Sequence, residues 1–116
     1  MTICVAVKVH DCLAVAADSA SSISFYGPGG AQGVHRVYFN GNKIFNLFKG
    51  QPICAFTAGL GNIGPLSIST VAKDLRLSFL STDPALRLDP AAYTMESVAE
   101  RAQVFINDQF ARCGLV

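Results

Sequence analysis

The hydrophobic pattern changes period near the middle of the chain. Thr2 to Val9 alternates and is rich in valine and isoleucine, His10-Asp11 has the character of a tight turn, and Cys12 to Ala17 is a second short apolar run. Alternation on both sides of a tight turn predicts a β-hairpin, which returns Asp18 beside Thr2. After Ser19-Ala20-Ser21-Ser22 comes a segment with Gly27, Pro28, Gly29, Gly30 and Gly33, read as a mobile loop. Val34 to Phe39 and Lys43 to Phe48 read as two strands around Asn40-Gly41, a type I′ turn signal. Lys49-Gly50-Gln51-Pro52 then turns the chain into a strand from Ile53 to Ala58, which ends at Gly59-Leu60-Gly61-Asn62.

Beyond that point the spacing is helical. Pro65 suits a first helical turn, and Leu66, Ile68, Val71, Ala72, Leu75 and Phe79 form an apolar stripe, so a helix is predicted from Pro65 to about Leu80. Asp83-Pro84 to Asp89-Pro90 reads as a loop. Thr94 then suits an N-cap with Glu96 in the first turn, opening a second helix with Val98, Ala102, Phe105, Ile106 and Phe110 on one face. Strands followed by helices, with no βαβ alternation, define an α+β class.

Composition narrows the function classes. The 116 residues suit one domain, 1-116, and only 15% are charged, with a net charge of +1. Neither a basic nucleic-acid footprint nor a basic membrane-surface patch is indicated. The N-terminal run carries Lys8, His10 and Asp11 and has no basic leader or cleavage pattern, so it reads as strand and not as a signal peptide. Cys4, Cys12, Cys54 and Cys113 have no CxxC or metal-like spacing, and are expected as buried free thiols of a cytoplasmic protein. No metal or cofactor is expected. His10 and His35 read as a turn and a strand edge, and Lys73, Arg76, Arg87, Glu100 and Arg101 as a solvated face. Apolar residues make up 51%, high enough to suggest burial on two sides or an oligomer interface.

The candidate chemistry begins at Thr2. Removal of Met1, usual before a small residue, would leave a threonine carrying a hydroxyl and a free α-amine on one residue. An α-amine has a pKa of about 7.7–8.0, so part of it is neutral near pH 7 and can accept the hydroxyl proton. A second-position threonine taken alone implies only efficient methionine removal.

Four short segments taken together are more specific: Thr2-Ile3, Val15-Ala16-Ala17-Asp18-Ser19-Ala20-Ser21, Asn42-Lys43-Ile44, and Phe56-Thr57-Ala58-Gly59 leading into a helix. In order, spacing and strand context they resemble the N-terminal half of a proteasome β-type subunit, in the N-terminal-nucleophile hydrolase superfamily that includes the HslV-type proteases. The resemblance implies a four-layer αββα sandwich, of which this chain would hold the N-terminal strands and two helices and lack the C-terminal part. It implies Thr2 as nucleophile and base, Lys43 as the cation that lowers the pKa of its hydroxyl, Asp18 as the partner that orients Lys43, and the Gly59 N–H as oxyanion donor. Ala20, Ser22 and Thr57 would bind substrate backbone and line a roomy, weakly selective pocket. Alanine stands at 20 where family members carry arginine. The activity implied is peptide-bond hydrolysis by a cytoplasmic threonine peptidase. Its expected setting is a ring-like or helical homo-oligomer that acts on peptides or unfolded proteins with a regulatory ATPase.

Each site residue has a plainer reading: Lys43 as a solvated strand-end lysine, Asp18 as a turn cap, Gly59 as a helix-start glycine. Two other functional classes stay open, a non-catalytic structural subunit of the same fold and an N-terminal-nucleophile amidase acting on small amides.

Overall fold

The computed structural model describes residues 2–26, 32–38, 41–59 and 61–114, and for 21–26 and 32–38 the backbone alone. The chain is mixed α and β, with two helices and, among the described residues, four two-stranded sheets. It divides into two compact units, Met1–Ile44 with Phe56–Gly59, and Phe45–Ala55 with Leu60–Val116.

In the first unit, β1 (Cys4–Lys8) and β2 (Leu13–Ala17) form the expected antiparallel hairpin, in register from Cys4 opposite Ala17 to Lys8 opposite Leu13. The Val9 N–H donates to the Cys12 carbonyl at 2.9 Å and closes the turn at His10-Asp11. The Asp18 N–H donates to the Ile3 carbonyl at 3.1 Å and extends the ladder by one pair. A second hairpin follows, β3 (Ser21–Tyr26) against β4 (Gln32–Tyr38), with a register shift after Ile23 that makes His35 the extra residue of a bulge.

This corrects two expectations. Ser21 to Tyr26 is strand and not the approach to a loop, and β4 pairs with β3 while β5 pairs with β6, so among the described residues the run from Val34 is not paired with the run from Lys43. The alternation of Ile23 and Phe25 with serines suits a strand, and the five residues from Tyr26 to Gln32 are an ordinary hairpin length. The loop glycines Gly27, Gly29 and Gly30 with Pro28, and Asn40 of the proposed turn, lie outside the described residues. Gly41 is tied back to the first hairpin's exit by its N–H donating to the Ser19 carbonyl at 2.8 Å.

β5 (Ile44–Asn46) pairs with β6 (Cys54–Phe56), both shorter than the alternation suggested. Their connection folds back through Gly50, whose φ of +85° is a left-handed conformation that glycine adopts without a Cβ clash. In the second unit a small hairpin, β7 (Asn62–Ile63) with β8 (Leu66–Ser67), precedes the helices. Pro65 lies in its turn and not in a helix, so α1 starts later than expected and spans Ile68–Ser78. Its N-cap is Ser67, whose Oγ accepts the Thr70 N–H. α2 (Met95–Arg112) starts where predicted: Thr94 caps it in a reciprocal box with Ser97, and Glu96 stands in the positive first turn.

The second unit contains a continuous core of Phe45, Leu47, Phe48, Ile53, Leu75, Phe79, Leu88 and Val98, with Ala72, Tyr93, Ala102 and Phe105 against it. Phe48 stacks with both Phe79 and Tyr93, at ring-centroid distances of 6.3 and 6.4 Å. Leu88 reaches this core from the loop between the helices, where the Leu88 N–H donates to the Phe79 carbonyl at 3.0 Å. Asp83 and Asp89 shape that loop by accepting the amides two residues on, of Ala85 and Ala91.

The cysteines depart from expectation. Cys4, Cys12 and Cys54 are exposed and Cys113 is half-buried, and all four are free. An apolar strand buries its side chains only where something covers its faces, and β1 is exposed along its whole length.

Candidate functional site

Every candidate residue falls in the first unit. The hairpin register places Ile3, the residue after Thr2, opposite Asp18. From there the Asp18 carboxylate turns back to the Thr2–Ile3 peptide group, and its Oδ1 accepts the Ile3 N–H at 2.9 Å. The same oxygen accepts the Lys43 ammonium at 3.0 Å, from a residue 25 positions away. One carboxylate oxygen therefore holds both the peptide that begins at Thr2 and the lysine.

Lys43 is only 9% exposed, and among the described residues it is the buried charged side chain. The reading of Lys43 as a solvated strand-end lysine is thereby corrected. An ammonium taken out of water requires a counter-charge, and Asp18, itself 30% exposed, supplies it. The lysine's backbone is fixed as well, because its carbonyl accepts the Thr57 N–H at 2.9 Å. Lys43 has three N–H donors, of which Asp18 takes one.

The Ile3 N–H, first, and the Lys43 ammonium both favour the ionised form of Asp18 and hold its carboxyl below the ordinary value of 3.8. A carboxyl whose pKa is lowered on folding contributes stability that is fully present above the unfolded value and lost as pH falls through the folded one. Denaturant unfolding between about pH 7 and pH 3 should therefore show a steeper loss of stability below pH 3.8 for the native chain than for Asp18→Asn. Equal slopes would show that the carboxylate is not held by these two donors.

The remaining residues are placed as follows. Thr2 is half-buried, and among the described residues no hydrogen bond joins its hydroxyl to Lys43. Thr57, just past the end of β6, is half-buried and donates its N–H to the Lys43 carbonyl, and Ala20 is half-buried past the end of β2. The Ser22 side chain lies outside the described residues. Gly59 is exposed, with φ of +85°. It does not open a helix, since β7 and β8 intervene before α1. What sequence reasoning missed is the Ile3 N–H as an anchor. That role belongs to the backbone, so no side chain signals it.

Among the described residues no group of three or more His, Cys, Asp or Glu could hold a metal ion, and no helix is long and apolar enough to cross a membrane. Comparison of the chain with family models, curated proteins and solved structures found no match.

Proposed function

We propose that the chain is a threonine-type peptidase unit of the N-terminal-nucleophile class, acting through Thr2 after loss of Met1. The observation that carries this reading is the shared Asp18 oxygen, which ties a buried lysine cation to the peptide group of the only residue here with a hydroxyl and, once Met1 is gone, a free amine. In the proposed reaction Thr2 Oγ1 attacks the scissile carbonyl while the α-amine takes the hydroxyl proton. The Lys43 charge favours the developing alkoxide, and the Gly59 N–H donates to the oxyanion. The amine then protonates the departing peptide nitrogen, and water releases the acyl group from Thr2. Ala20, Ser22 and Thr57 hold the substrate, a peptide or unfolded protein.

The proposal extends to the complete fold and its setting, a four-layer αββα sandwich within a ring-like or helical homo-oligomer served by a regulatory ATPase. The exposure of Ile3, Val5, Val7 and Leu13 on the first hairpin supports burial against further polypeptide.

The test is covalent. A peptide epoxyketone needs both functions of an N-terminal threonine, the oxygen for its ketone carbon and the nitrogen for its epoxide. Intact-mass measurement should show a chain beginning at Thr2 and one adduct mapping to Thr2, absent in Thr2→Ala. Retained Met1, or labelling elsewhere, would overturn the reading in favour of a non-catalytic role.

A further inference from the structure

A second candidate site lies in the other unit and is independent of the proposed peptidase chemistry. The loop between the helices and the first turns of α2 line an open, mainly polar cleft of about 420 Å³, within the volume range of small-molecule pockets. Its lining residues include Pro84, Ala92 and Tyr93 together with two arginines, Arg87 and Arg101, and one acid, Asp89.

Arg101 is not part of a solvated face, as its sequence position suggested. It is half-buried, and its Nε–H donates to the Arg87 carbonyl at 2.8 Å and its Nη1–H to the Ser97 carbonyl at 3.3 Å. Two of the five N–H donors of the guanidinium thus hold it in place, and the other three have no protein acceptor among the described residues. A cation fixed by backbone on one side, at the wall of a cleft, is pre-organised for an oxyanion. Arg87 adds a second, exposed cation. The helix end itself contributes little, because the Thr94 and Ser97 side chains already occupy it. Tyr93 is positioned by its hydroxyl, which donates to Gln51 Oε1 at 3.3 Å, and by its ring stacking on Phe48.

We propose that this cleft binds a small molecule bearing a carboxylate or phosphate group, with the oxyanion on Arg101 and Arg87 and an apolar or ring-shaped body against Tyr93, Pro84 and Ala92. Asp89 tempers the positive charge and disfavours ligands of high negative charge.

Amide chemical-shift titration of the full chain, with inorganic phosphate in one arm and benzoate in the other, tests this. Saturable shifts confined to residues 87–101, with half-saturation below about 10 mM in at least one arm, are expected. Saturation by phosphate alone would assign a phosphate ligand, and by benzoate alone a carboxylate with a ring. Arg101→Gln should weaken binding roughly tenfold, the loss of a charge-assisted pair. Because Arg101 also holds the loop, Arg87→Gln is the second variant; it leaves those hydrogen bonds intact and should weaken binding several-fold. Asp89→Asn keeps an oxygen for the Ala91 N–H and should tighten binding roughly threefold. Non-saturating shifts in both arms, or affinities unchanged by Arg87→Gln and Asp89→Asn, would overturn the proposal.

Discussion

Exchange of Lys43 for methionine is expected to lower peptide hydrolysis by about a hundredfold or more while leaving the fold intact, because the role assigned to this side chain is electrostatic. Methionine keeps most of the buried volume and removes the charge, so loss of activity cannot be ascribed to a cavity. The Asp18 carboxylate left behind keeps its hydrogen bond from Ile3 and, at 30% exposure, still meets water. Lys43→Ala should lose activity to a similar degree, with some added loss of stability. The measurement is turnover of a fluorogenic peptide amide together with circular dichroism, and epoxyketone labelling of Thr2 should slow in parallel. Full activity in a folded Lys43→Met chain would remove the cation from the mechanism. Wild-type hydrolysis of small acyl amides but not of peptides would move the chain to the amidase class.

The parts of this arrangement that the sequence makes legible are those encoded locally. The first hairpin is specified by alternation on either side of a tight turn, and α2 by helical spacing that begins at a capping threonine, so both lie where expected. Pro65 is ambiguous, since proline suits a first helical turn and a hairpin turn equally; the better signal was Ser67, the actual cap. Asn40-Gly41 is a strong turn signal, yet strand choice is a competition between partners, and β3 takes β4. Leu88 has no periodic neighbours and so gives no sign of joining a core. The pairing of Asp18 with Lys43 spans 25 residues and follows from no spacing rule; only the likeness of the surrounding segments to a known family suggested it. The exposed cysteines mark the same boundary from the other side, because alternation tells which residues share a strand face but not whether anything covers that face.

Truncation of Phe79 is expected to cost about 3–5 kcal/mol, the range for removing a large aromatic side chain from a closed core. Phe79 is 0% exposed, stacks on Phe48, and follows the last turn of α1 in a unit whose other buried core members come from α1 itself, β5 and its connection to β6, α2 and the inter-helix loop. Alanine there removes the ring against which Phe48 rests, while the backbone bond from Leu88 to residue 79 remains available and limits how far the site can collapse. A cavity held open in this way loses the transfer energy of the removed atoms and their contacts together. Leu77, two residues earlier and within α1, is 65% exposed, and Leu77→Ala should change stability by no more than about 0.5 kcal/mol. Urea unfolding of the two variants, followed by far-ultraviolet dichroism, separates the cases. Similar small losses in both would mean that Phe79 does not anchor a packed core, and that the helices are held by their caps and local spacing alone.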